Sequence, residues 1–176
     1  MISLHHLSGR GCAPLVNRRG LWLGAGAAAL LPSLAWAKKA EYEAMILGCI
    51  DPRMQTPVRR LAVKRGLTDE YSQFTIAGAA IAAVAPAFAD WHKAFWDNLA
   101  ATIQLHKIET VIAIDHRDCG AAKIAYGDDS ISTAEKENAT HKAAMAEFRK
   151  QVGERQPNLK VETLLMALDG SFISFT

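Results

Sequence analysis

Short apolar runs alternate with segments of helical character along most of this chain, and that alternation restricts it to an α/β arrangement. The clearest run is Thr110-Val111-Ile112-Ala113-Ile114, which is strongly β-branched and predicts a central strand. Ala44 to Ile50 is a continuous apolar run inside a strand predicted over Glu41 to Ile50, as expected of a parallel strand buried on both faces. Tyr71 to Ala77, closed by Gly78, and Val161 to Leu168 predict two more strands.

Between these runs lie the helices. Pro57 suits a first helical turn, with Thr56 as its cap and Gly66 as its end. Ala85 to Leu105 carries Phe88, Trp91, Phe95, Leu99 and Ile103 at near-helical spacing. Ala121 to Tyr126 predicts a short helix. Thr133 to Val152 predicts a polar amphipathic one, capped by Ser132 or Thr133 and ended before Pro157. Asp169-Gly170 reads as a turn, and Ser171 to Thr176 as a short last strand. The pattern predicts a single α/β domain with a mostly parallel central sheet flanked by helices.

In such sheets ligands collect beyond the carboxyl ends of the strands. Cys49 falls at the end of the first predicted strand, and His116 and Cys119 just after the third. Thiolate and imidazole are the ligands zinc prefers, at ~2.3 Å and ~2.0–2.1 Å. His116-x-x-Cys119 is compact enough for both side chains to reach one ion, with Cys49 as a third ligand from another strand end. Three ligands rather than four favour an open, catalytic zinc site over a closed, structural one. A metal-free Cys49–Cys119 disulfide is the competing reading of the two thiols. His92, His106 and His141 sit on predicted helices with no thiol or partner motif nearby.

Asp51-x-Arg53 follows Cys49 at once. A guanidinium can grip a carboxylate bidentately and fix its direction. Beside a metal, such an arginine decides whether the carboxylate binds the ion or stays off it. Asp118 reads either as a residue that orients His116 or backbone from behind the ligands, or as a turn aspartate. Gly120 would allow close approach of the backbone.

The first 37 residues read differently from the rest. Arg18-Arg19 precede an apolar run from Leu21 to Leu34, which ends at Ala35-Trp36-Ala37, a small-x-small cleavage pattern. The paired arginines resemble a twin-arginine signal, with Asn17 where Ser or Thr is usual. The run is about 14 residues and is interrupted by Pro32, short of the ~20 a membrane span needs. The expectation is therefore a cleaved export signal over 1–37 and a catalytic domain over 38–176. It carries a periplasmic or otherwise exported destination, no membrane span after cleavage, and the loss of Cys12. Residues 1–37 hold three arginines and no acid; the remainder holds 17 basic against 18 acidic side chains, a formal net of −1. That balance leaves no basic face for nucleic acid.

Cys49-Ile50-Asp51-Pro52-Arg53 and His116-Arg117-Asp118-Cys119-Gly120 together resemble the Cys-x-Asp-x-Arg and His-x-x-Cys-Gly motifs of the β-carbonic anhydrase family. Ala77-Gly78 resembles the end of that family's Arg-Asn-Ala-Gly segment. The likeness runs from about Ala44 to Gly127. It implies Cys49, His116 and Cys119 as ligands of one zinc ion per chain, and Asp51 with Arg53 as the dyad that keeps the fourth zinc position free. It also implies reversible hydration of carbon dioxide to bicarbonate by zinc-bound hydroxide, and a homodimer or higher homo-oligomer. The chain departs from the family at Thr75-Ile76, which replaces Arg-Asn, at Asp115, which replaces glycine, and at Pro52, where Ser or Ala is commoner. Relatives on the same scaffold hydrolyse carbon disulfide or carbonyl sulfide, and Ile76 points toward that alternative. A non-catalytic zinc-binding domain is the remaining one.

Overall fold

The computed structural model describes residues 41–175, which belong to one compact unit. The readings placed on residues 1–37, the export signal and Cys12 among them, lie outside the described residues.

Five strands form one sheet in the order β2-β1-β3-β4-β5. They are β1 (Ala44–Gly48), β2 (Tyr71–Thr75), β3 (Thr110–His116), β4 (Lys160–Met166) and β5 (Phe172–Ser174). The first four run parallel, and β5 pairs antiparallel with β4. Every residue of β1 is buried, as a continuous apolar run requires of a strand covered on both faces. The helices are α1 (Gln55–Lys64), α2 (Ala80–Val84), α3 (Ala89–His106), α4 (Gly120–Tyr126) and α5 (Ala134–Arg155). Among the described residues no helix is long and apolar enough to cross a membrane.

The alternation read from the sequence is the alternation found, with local differences in the element bounds and in the following features. Thr56 lies inside α1 rather than capping it, because a 3-10 turn over Pro52–Met54 leads straight into the helix. Proline suits the first position of that turn, since its missing N–H has no partner there and its φ is already set. This accounts for Pro52 locally. β3 runs two residues further than expected, so His116 ends the strand instead of following it. The segment before α3 holds α2, which the periodicity did not reveal. All five of its residues are buried, and a helix buried all round has no apolar stripe to detect. Thr133 caps α5 as expected, its hydroxyl accepting from Lys136 N–H.

An aromatic cluster centred on Phe95 joins α3, β2 and α5. Phe74, Trp96 and Phe148 place their rings 5.8, 4.8 and 5.6 Å from it, within the range of favourable aromatic pairs. Phe95 and Phe148 are fully buried. This packing fixes α5 against the sheet, and α5 in turn supports the site.

Candidate metal centre

Adjacent parallel strands bring the first two candidate ligands together. Gly48 of β1 stands opposite Ile114 of β3. Cys49 is the next residue after one strand, and His116 ends the other. The turn after β3 returns Cys119 to the same place. The ligand atoms of Cys49, His116 and Cys119 lie within 4.8 Å of one another, and all three residues are buried. Both cysteines are free.

Local bonds prepare the three groups for a cation. His116 Nδ1 meets the Arg117 carbonyl at 2.8 Å, so Nδ1 holds the proton and Nε2 keeps its lone pair. Nε2 is buried without a hydrogen-bond partner among the described residues. An orphaned nitrogen facing two thiols is costly unless something accepts its lone pair, as a bound metal ion would. Gly78 N–H donates to Cys49 Sγ at 3.2 Å. Hydrogen bonds from the Cys119 thiol and the Gly78 N–H outweigh burial and hold the Cys49 thiol well below its ordinary pKa. Its hydrogen bond to Cys49, reinforced by burial, pushes Cys119 upward. Of the two sulfurs, Cys49 is therefore the one that favours the thiolate. Two sulfurs and one imidazole nitrogen fit zinc.

Gly78 has φ +94°, and a Cβ there would lie 2.9 Å from the Cβ of Ala121. Gly78→Ala is expected to cost about 2 kcal/mol or more, from left-handed backbone strain plus that clash. Urea unfolding measures it, with Gly66→Ala, which meets nothing within 4 Å, as the comparison for backbone strain alone.

Asp51 and Arg53 stand beside the three candidate ligands. Arg53 Nε donates to Asp51 Oδ1 at 3.0 Å and Nη2 to Oδ2 at 2.7 Å, while the Arg53 backbone N–H reaches Oδ1 at 2.8 Å. This fork lowers the Asp51 carboxyl to about 2, so it is ionised at neutral pH. Asp51 Oδ2 is 3.8 Å from His116 Nε2. The carboxylate is therefore near the ligand atoms, but its oxygens are already committed to the guanidinium.

Two buried contacts were not read from the sequence. Asp115, which stands where the family has glycine, accepts from Ala80 N–H at 2.9 Å and meets His141 Nδ1 at 2.9 Å. Both side chains are almost wholly buried. His141 thus has a partner after all, 26 residues away in sequence. One helical turn earlier, Glu137 accepts from Asp118 N–H at 2.6 Å and from Arg117 Nη1 at 2.8 Å. Asn138 takes the other arm of Arg117 at 2.7 Å. The first turns of α5 therefore grip residues 115, 117 and 118, which bracket His116 and Cys119. The available signal was Glu137-x-x-x-His141, two polar groups on one face of a helix. His141→Leu is expected to cost about 3 kcal/mol, because it leaves the buried Asp115 carboxyl short of a partner. Chemical denaturation checks this, and His141→Asn, which keeps a donor, should lose less.

The fold and the Cys-His-Cys group define a class: a single α/β domain with the β-carbonic anhydrase fold and a group able to hold a metal ion. The structure resembles that of a variant of the β-carbonic anhydrase CafD of Aspergillus fumigatus, with TM-score 0.54, 13% identity, and coverage of 82% of this chain and 94% of the other. It also resembles that of the β-carbonic anhydrase CcaA, with TM-score 0.54, 12% identity, and coverage of 78% and 81%. At these identities the likeness is one of fold. No family model matches the sequence. By sequence, the chain belongs to a family that includes an uncharacterized protein of Rickettsia conorii, 35% identical over 130 residues, covering 74% of this chain and 70% of the relative. An uncharacterized protein of Rickettsia bellii matches at 35% over 130 residues, covering 74% and 79%.

Proposed function

We propose that this protein is a zinc-dependent carbonic anhydrase, hydrating carbon dioxide to bicarbonate. The observation that carries the reading is the joint placement of Cys49, His116 and Cys119 with an aspartate held beside them by an arginine. Cys49 and Cys119 supply charge, and His116 supplies a neutral nitrogen set by its bond to the Arg117 carbonyl. Cys49, His116 and Cys119 would hold a zinc ion, which when bound would lower the pKa of water to ~7 and so would supply a hydroxide nucleophile at neutral pH.

The remaining work falls to the chain. Asp51 is partly exposed and Arg53 more so, which puts the dyad between the ligands and solvent. Arg53 directs the Asp51 carboxylate so that it accepts a hydrogen bond from an oxygen nucleophile instead of competing for the metal. Carbon dioxide is small and uncharged, so it needs no charged clamp, only a dry approach. In this reading the chain also works as a homodimer or larger homo-oligomer, and residues 1–37 export it to the periplasm.

The test is zinc content together with stopped-flow hydration of carbon dioxide, on protein lacking residues 1–37. About one zinc per chain with fast hydration is the expected result. Zinc without hydration, but with turnover of carbon disulfide or carbonyl sulfide, would move the assignment to a hydrolase. Zinc with neither activity would leave a binding domain, and protein freshly folded in the presence of zinc yet free of it would overturn the metal centre.

A further inference from the structure

Arg53 has a second partner that the dyad does not include. Its Nη1 donates to Asp118 Oδ2 at 3.0 Å and its Nη2 to the Asp118 carbonyl at 3.2 Å. The guanidinium therefore spans two aspartates, one after β1 and the other in the turn between His116 and Cys119. The geometry points to Asp118 as a positioning residue that holds Arg53, and through it Asp51, out of the metal's fourth place. This rests on reading the site as a metal centre with three protein ligands.

The turn is built to present Asp118 in this way. Its backbone is left-handed, with φ +55°, a conformation that Asp tolerates better than most residues. Its N–H is fixed by Glu137. Its carbonyl and its carboxylate then reach the same guanidinium. Lys123 Nζ lies 3.7 Å from Asp118 Oδ1 and offsets the second negative charge. The contacts form a line from Glu137 to Asp118, Arg53 and Asp51, so the part of α5 that steadies the ligand turn also sets the direction of the Asp51 carboxylate.

Exposed ion pairs of this kind add little to stability, and both side chains are about half exposed. The contribution of Asp118 is therefore one of geometry. Arg53 is long and has considerable rotamer freedom. Held at one edge by Asp51 alone, it can swing outward and take the carboxylate with it or release it. Held at both edges, it has a single orientation. The Asp51 oxygen 3.8 Å from His116 Nε2 has little distance to cover if that restraint is lost.

Substitutions at 118 separate this role from a structural one. Asp118→Gly removes the carboxylate and relieves the left-handed backbone, so it should fold as well as the parent. Asp118→Asn keeps an oxygen acceptor while removing the same charge. With cobalt(II) in place of zinc, the visible d–d spectrum and the affinity for azide report whether the fourth place is taken. Asp118→Gly is expected to change the spectrum and weaken azide about tenfold, Asp118→Asn to stay near the parent, and Asp51→Ala combined with Asp118→Gly to reverse both changes. A parent-like spectrum and azide affinity in Asp118→Gly would overturn the proposal, as would a change that persists without Asp51 or one that Asn shares in full. Cobalt-loaded parent protein that hydrates no carbon dioxide would defeat the proposed function while leaving this result to stand on its own. Failure of the parent to take up cobalt would defeat both.

Discussion

Replacing Cys119 by alanine is expected to abolish tight zinc binding while leaving the domain folded. Structural zinc sites with four ligands bind with roughly 10–16 kcal/mol of apparent free energy. Removing one of three ligands here forfeits roughly a third of such a value, about 3–5 kcal/mol, or two to four powers of ten in affinity. After dialysis the variant should hold less than about a tenth of the parent's zinc, and hydration should fall with it. The fold should survive because Cys119 is a small buried side chain at the start of α4, and alanine fills most of its volume. Metal analysis by plasma emission and far-ultraviolet circular dichroism measure the two effects on one sample. Cys49→Ala should behave alike, although there Gly78 N–H also loses its acceptor. If either variant kept full zinc, that cysteine would not be a ligand. If both kept it, the ion would have to sit elsewhere.

The strands, and with them the grouping of Cys49, His116 and Cys119, were legible because two signals coincide. Parallel strands buried on both faces are unbroken apolar runs, and those runs stop where chemistry-bearing residues begin. Ile50-Asp51 and Ile114-Asp115 mark those stops by sequence alone. What stayed hidden has physical reasons. The short helix α2 is buried all round, so its Ala-rich sequence carries no period. Asp115 looked like an odd replacement for glycine because its partner His141 arrives from a helix 26 residues later. Asp118 could be read as a turn aspartate or as a support behind the ligands. Its bond to Arg53 crosses 65 residues and depends on a left-handed backbone that sequence does not announce. The legible features are local or periodic. The hidden ones are single polar contacts between distant segments, and these fix how the ligand turn is held.

Arg53→Ala is expected to reduce hydration on the order of 100-fold while zinc content stays near that of the parent. In the parent, both Asp51 oxygens bond the guanidinium, which also keeps the carboxyl ionised. Alanine removes the fork but leaves the backbone N–H at position 53 bonded to Oδ1. Asp51 then remains an anion close to the ligand atoms, with Oδ2 free. A free carboxylate oxygen beside a cation held by three ligands becomes the fourth ligand, and substrate chemistry loses its place. Misplacing a reacting group by about 1 Å can itself cost ~100-fold, and a blocked position costs at least as much. Removing Asp51 as well should restore part of the lost rate, because the competing ligand goes with it. Arg53→Lys should fail nearly as badly as alanine, since an ammonium is a point charge and cannot hold a carboxylate along two parallel bonds. Stopped-flow hydration and metal analysis on the four proteins decide the matter. Loss of zinc from Arg53→Ala would mean that the arginine supports the ligands rather than restraining Asp51. A double variant no faster than Arg53→Ala would mean that Asp51 is not the group that closes the site.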